Sequence, residues 1–455
     1  MISKLGFLGQ PRVVFARLRK RAGASLLESA NLMPGLSGWS YIACDPVMTL
    51  ETRSELTVLR EGSKIIQFWD NPFTALEIVF EHFKLESKPR PEGMNFAGGW
   101  LGFLGYDLTR YLEEIPIVAP KLGQPDMRLH LMDFILAFDH ANQTWYSSSS
   151  KFDFANREHI WAEILERAEH GISLQGQFKS GKLEPLTKPD KYLEQVEQCL
   201  NYIRAGDIFQ VNLTHRLETD FTGDAFALYQ ALMFSNPAPF SAFISGEDLT
   251  VVGASPERFL KRTGNTLEAR PIKGTVPRGA IPNEDELQKN KLEQSEKDRA
   301  ENLMIVDLMR NDLGRVAEFG SVKTSKLFSL EPHGAVWQMV STITAELKPN
   351  LSSVDVLRAT FPPGSMTGAP KIRAMQIIEE LEPVRRGVYS GVIGYFDLNG
   401  DFDLSVVIRS AIISNGKIKL QSGGAIVADS IPELELEETY AKTRALRSVL
   451  GQGNL

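Results

Sequence analysis

The chain has 455 residues, 43% hydrophobic and 24% charged, ordinary values for a soluble globular protein large enough to hold two core-bearing units. A net charge of -7 excludes sequence-wide attraction to nucleic acid or an anionic membrane, so an anionic ligand has to be met by local basic groups in a pocket. Only Cys44 and Cys199 occur, with no CxxC or His partner, which excludes a disulfide framework and a cysteine zinc site and fits a reducing, cytoplasmic compartment.

No apolar run approaches the ~20 residues that span a bilayer. The first 27 residues carry Lys4, Arg12, Arg17, Arg19, Lys20 and Arg21 with no acid before Glu28, a composition that organellar presequences share. They lack a secretory apolar core, and Arg12-Val13-Val14-Phe15-Ala16 reads as the first strand of a fold. Further strands are expected at 39–43, 48–53, 55–60 and 64–69, and Asn71-Pro72 opens a helix over 73–83. The aromatic and glycine alternation of 96–106 reads as tightly packed core. Residues 127–139 and 143–149 read as a hairpin and 155–170 as an amphipathic helix. The Gly, Ser, Lys and Pro content of 171–190 marks a linker, which gives an N-terminal domain over 1–175, a linker over 176–190 and a second domain over 191–455.

The second domain begins with a helix over 191–205 and a strand over 208–217, then a helix over 225–234 and strands at 240–244 and 249–252. Ser255-Pro256-Glu257-Arg258-Phe259 and, a hairpin later, Arg270-Pro271-Ile272-Lys273-Gly274-Thr275 follow. Lys273 sits after a proline that fixes the backbone and before a glycine that permits close approach. An ordinary lysine ammonium, pKa near ~10.4, is not a nucleophile at neutral pH, so a reactive role requires desolvation or a neighbouring cation such as Arg270. A surface lysine paired with Glu268 or Glu257 is the other reading.

A long charged helix is expected over 284–312, where Asp298 and Glu301 share a face. Glu435 and Glu438 repeat that spacing on a helix opening at Asp429-Ser430-Ile431-Pro432. Acids near a helix start are favoured by the macrodipole, but two such pairs also make an oxygen-ligand set suited to Mg²⁺. Between them, 361–371 is a glycine- and hydroxyl-rich loop entering a helix over 370–381, and its spacing departs from that of a nucleotide phosphate loop. The closing meander is expected to put Tyr389 on one strand and Arg409 on the next, before Gly423-Gly424-Ala425. Burying Arg409 requires a carboxylate, either Asp403 or a bound organic acid.

Together, the motifs at 255–259, 270–275, 298–312, 361–373 and 423–430 resemble the chorismate-utilising enzymes, over nearly the whole chain and most densely after residue 191. The resemblance implies an α+β fold like that of anthranilate synthase component I, large mostly antiparallel sheets sandwiched with helices, with the active site in a deep cleft. Gln210 stands where the isochorismate and salicylate synthases of the family place a water-activating lysine. Lys273 stands where anthranilate synthases have alanine, and Gln338 where they have a catalytic histidine. These positions imply amination of chorismate at C4, giving 4-amino-4-deoxychorismate on the route to p-aminobenzoate and folate.

By the same resemblance Lys273 is the nucleophile at C2 and Glu257 the general acid or base. Glu301 and Glu438, supported by Asp298 and Glu435, hold Mg²⁺. Tyr389, Arg409, Thr275, Thr367, Gly368, Gly423, Gly424 and Ala425 bind the substrate, and Glu28 and Ser29 mark a tryptophan site. The chain has no glutaminase signal, so the resemblance implies ammonia from a separate glutaminase subunit in a heterodimer. Anthranilate synthase component I and a non-catalytic amino-acid-binding subunit are the rival readings.

Overall fold

The computed structural model describes residues 2–452 except 7, 34, 88, 151–175 and 335, so the helix expected over 155–170 lies outside the described residues. Two large antiparallel sheets, of 13 and 12 strands, lie face to face with helices on their outer faces. Alternating side chains of both sheets, among them Tyr41, Phe103, Ile135, Val251, Ile393, Tyr395 and Ile412, form the core between them, with Phe96 packed among them.

Both sheets take strands from both ends of the chain. In the larger sheet, Ser25–Glu28 pairs with Phe240–Ile244, and in the smaller, Gly99–Leu104 pairs with Val392–Asp397. The stretch expected to be a linker contributes strands Phe178–Ser180 and Glu184–Pro185, both antiparallel to Gln210–Gly223. It therefore does not divide one sheet from the other.

The chain repeatedly crosses between sheets at short non-strand links. Leu249–Ser255 belongs to the larger sheet and Arg258–Thr263 to the smaller, and Pro256 and Glu257 are the crossing. Phe402–Val406 and Ser410–Ser414 are likewise in different sheets, joined by Val407, Ile408 and Arg409. The run 127–139 is broken in the same way at Asp133.

Two expected elements differ. Residues 12–16 are not a strand: Pro11–Leu18 is a helix, because Pro11 suits the first helical position and Val14, Phe15 and Leu18 fall on one face buried against the larger sheet. The long helix over 284–312 is two helices, Pro282–Glu293 and Glu296–Gly314. Ser295 breaks it by accepting a hydrogen bond from the Asp298 N–H, an N-cap that restarts the helix.

Candidate active site

Lys273 lies on the edge strand Ile272–Pro277, at a bulge between Ile272 and Thr275. Gly274 there has φ +82°, and a Cβ on it would lie 2.9 Å from the Cβ of Asp298, so glycine lets the Glu296–Gly314 helix close onto the lysine. Neither carboxylate named as an alternative pairs with Lys273: Glu268 takes Arg258, and among the described residues Lys273 makes no ion pair. Arg270 is held by Glu331 at 2.6 Å.

Glu257, on its crossing link, is buried, and burial pushes its carboxyl up to about 7 while the Ser365 hydroxyl and the Lys273 ammonium pull it down. The same ammonium acts on Glu301 and on Glu438. One lysine thus faces acids from a crossing link and from two helices, Glu296–Gly314 and Pro432–Val449.

Burial raises Glu301, opposed by Lys273 and Lys297 and aided by Asp298 and Glu438. Burial also raises Glu435, whose Oε1 accepts from Ser430 at 2.6 Å. Burial acts on Glu438 in the same sense, but Lys442, 2.5 Å away, with Lys273 and Lys297, holds it below the usual range. Among the described residues no three such side chains already converge as a ligand cluster. The donor set still fits a hard cation: all four acids offer oxygen, Glu435 Oε2 is buried without a partner, and a Cβ on Gly424 would sit 2.7 Å from it.

Tyr389 and Arg409 were expected on adjacent strands, and neither is in one. Tyr389 precedes Val392–Asp397. Arg409 is on the crossing link with φ +52°, in the left-handed region that a non-glycine residue seldom takes. Asp403 is not its partner, being taken by Arg258 at 2.8 and 2.9 Å. Arg409 instead donates to the carbonyl of Lys442 at 2.5 Å and lies beside Tyr389, whose hydroxyl burial pushes up to about 12.

The strand Gln210–Gly223 brings the small residues together. Val211 pairs with Gly368 on one side, while Asn212, Leu213 and Thr214 pair with Ala425, Gly424 and Gly423 on the other. Thr367 is fully buried, its hydroxyl donating to the Gly364 carbonyl at 3.1 Å. Thr275 is exposed and pairs with Gln338. Gln210 is fully buried with neither amide atom partnered. Glu28 and Ser29 lie apart from this group, on a pocket of about 320 Å³ between the sheets that Trp39, Phe240 and Tyr395 also line. Glu28 is bound there by Arg12 at 3.0 Å and Tyr229 at 2.6 Å.

Sequence reasoning missed Lys442 and Ser365. The signal for Lys442 was present, since Glu438 and Lys442 are four apart on one helix face. Ser365 belongs to the 361–371 loop, but nothing in sequence placed it at Glu257.

The family model for chorismate binding enzymes matches residues 37–448. The chain belongs to the chorismate binding enzyme family. Within it, aminodeoxychorismate synthase component 1 of Escherichia coli (strain K12) is 41% identical over 434 residues, covering 95% of this chain and 94% of that protein. Anthranilate synthase component 1 of Acinetobacter calcoaceticus is 36% identical over 455 residues, covering 96% and 91%. The crystal structure of anthranilate synthase component I from Streptococcus pneumoniae TIGR4 superposes with TM-score 0.79 at 30% identity, covering 98% of each chain, as the sandwich architecture of this chorismate binding enzyme requires.

Proposed function

We propose that this chain converts chorismate and ammonia to 4-amino-4-deoxychorismate and water, with Lys273 as a transient nucleophile. The observation that carries this is Lys273 on a bulged edge strand, with the helix bearing Asp298 and Glu301 closed onto it over Gly274 and no ion pair of its own among the described residues. The likeness to a relative named aminodeoxychorismate synthase component 1 supports it.

Lys273 passes its ammonium proton to the Glu257 carboxylate, the resulting amine attacks C2 of the ring, the double bond shifts and the C4–O bond breaks. Glu257, with its carboxyl raised to about 7, supplies the proton that lets the hydroxyl leave as water. Ammonia then forms the C4–N bond, the double bond shifts back and the C2–N bond to Lys273 breaks, Glu257 taking up the surplus proton. Two allylic displacements replace one direct substitution. Gln210 is a neutral amide and cannot activate water at its position, which favours amination over hydroxylation.

Glu301 and Glu438, with Asp298 and Glu435, would hold Mg²⁺, which supplies positive charge to the ring carboxylate when bound. Arg409 and Tyr389, with the amides near Gly424 and Ala425, hold the enolpyruvyl carboxylate, and Thr367, Gly368, Gly423 and Thr275 complete the substrate walls.

Neither cysteine is a glutaminase nucleophile, because Cys44 and Cys199 are buried and burial pushes both thiols up. In this reading ammonia comes from solution or from a separate glutaminase subunit forming a heterodimer, as the component 1 in the name of the Escherichia coli relative supports. Two free thiols fit a cytoplasmic setting, and among the described residues no helix is long and apolar enough to cross a membrane. The aromatic pocket at Glu28 and Ser29 is a tryptophan site in this scheme, and calorimetry on ligand-stripped protein showing no tryptophan uptake would remove it.

The test of the nucleophile is intact-protein mass after incubation with chorismate and Mg²⁺ but no ammonia. The expected species is protein plus chorismate minus water, mapped to Lys273; a full-strength adduct in Lys273→Ala would overturn the assignment.

A further inference from the structure

Lys442 lies one helical turn beyond Glu438 on the helix Pro432–Val449, with its ammonium against that carboxylate. Its Nζ is 2.5 Å from Glu438 Oε1 and donates to the Gly423 carbonyl at 2.9 Å. Its own main-chain carbonyl is held by Arg409 at 2.5 Å, which fixes the helix turn from which the side chain starts. One turn before Glu438, Glu435 keeps Oε2 buried and without a partner, against Gly424. Glu438 and Glu435 are thus in different states, one neutralised by an ammonium and the other with an oxygen still to be satisfied.

We propose that Lys442 is a resident stand-in for the metal: its ammonium holds Glu438 in the cation-free protein, and a divalent cation enters the four-acid site by displacing it. This rests on the Mg²⁺ reading above. A carboxylate oxygen in contact with an ammonium cannot also coordinate a hard cation without bringing two positive charges within a few ångströms, where they repel. Left without either cation, the clustered carboxylates of Glu301, Glu435 and Glu438 would repel one another, and the Lys442 ammonium against Glu438 relieves that repulsion.

The test is calorimetric titration with Mg²⁺, without chorismate, of the wild-type chain, Lys442→Met and Lys297→Met. Lys297 also acts on Glu301, Glu435 and Glu438 but among the described residues makes no ion pair with them, so it controls for general loss of charge. Removing the stand-in is expected to tighten Mg²⁺ binding on the order of tenfold, against about twofold for Lys297→Met. Equal shifts in the two variants, or weaker binding by Lys442→Met, overturn the proposal. Absence of Mg²⁺ binding by every variant removes the metal reading and this proposal with it. A crystal structure of the wild-type chain with Mg²⁺, which needs no variant to fold, should show the Glu438–Lys442 contact opened; an intact contact beside bound Mg²⁺ overturns the displacement.

Discussion

Ser341 donates its hydroxyl to Asn302 Oδ1 at 2.5 Å, and through that contact the helix bearing Glu301 is fixed to the sheet bearing Lys273. Both residues are buried, and Asn302 also donates to the Met339 carbonyl at 3.2 Å. Asn302→Ala breaks both bonds and leaves the buried Ser341 hydroxyl without its acceptor, so it should cost about 2 kcal/mol in denaturant unfolding. It should also weaken Mg²⁺ binding, because Glu301 is its chain neighbour. Unchanged stability would mean the helix is held by packing alone.

Glu257 gives a pH signature of known sign. Its folded carboxyl, near 7, is above its ordinary value of 4.5, so between those values the folded state holds a proton that the unfolded state has lost. Stability contributed by this group is present below the lower value and falls as pH rises through the upper one. Glu257→Gln should therefore gain stability relative to wild type between about pH 4 and about pH 8, by up to about 3 kcal/mol. Paired denaturation curves check this, and parallel pH profiles for the two proteins would show that the carboxyl is not raised.

A methyl group on Gly424 should disturb the metal site rather than the fold. A Cβ there would meet Glu435 Oε2 at 2.7 Å, and the flexible carboxylate rather than the backbone would give way. Gly424→Ala should thus fold normally and bind Mg²⁺ about tenfold more weakly, a loss of about 1.4 kcal/mol. Wild-type affinity in calorimetry would place the cation away from Glu435.

The motifs were legible because short sequences with strict chemistry carry them: Lys273 between proline and glycine, and two acid pairs at helical spacing. Strand and helix types were mostly legible from hydrophobic period, including Lys64–Trp69 and the Asn71-capped helix Pro72–His82. What periodicity could not show is that consecutive strands belong to different sheets. Val406, Val407 and Ile408 read as one apolar strand with Arg409, yet the strand ends at Val406 and the rest is a crossing, which is where Arg409 acquires its position. The Arg12–Ala16 run failed for a related reason, since β-branched residues favour strands locally but the buried face is helical. Lys442 was hidden because an i, i+4 Glu–Lys pair reads as surface decoration until the strand bearing Gly423 is seen against it.

The most direct test of amination at C4 is to incubate the purified chain with chorismate, Mg²⁺ and ammonium and resolve the product by chromatography and mass. A 4-amino-4-deoxychorismate product, absent from Lys273→Ala, is expected; fluorescent anthranilate from the wild-type chain would contradict it.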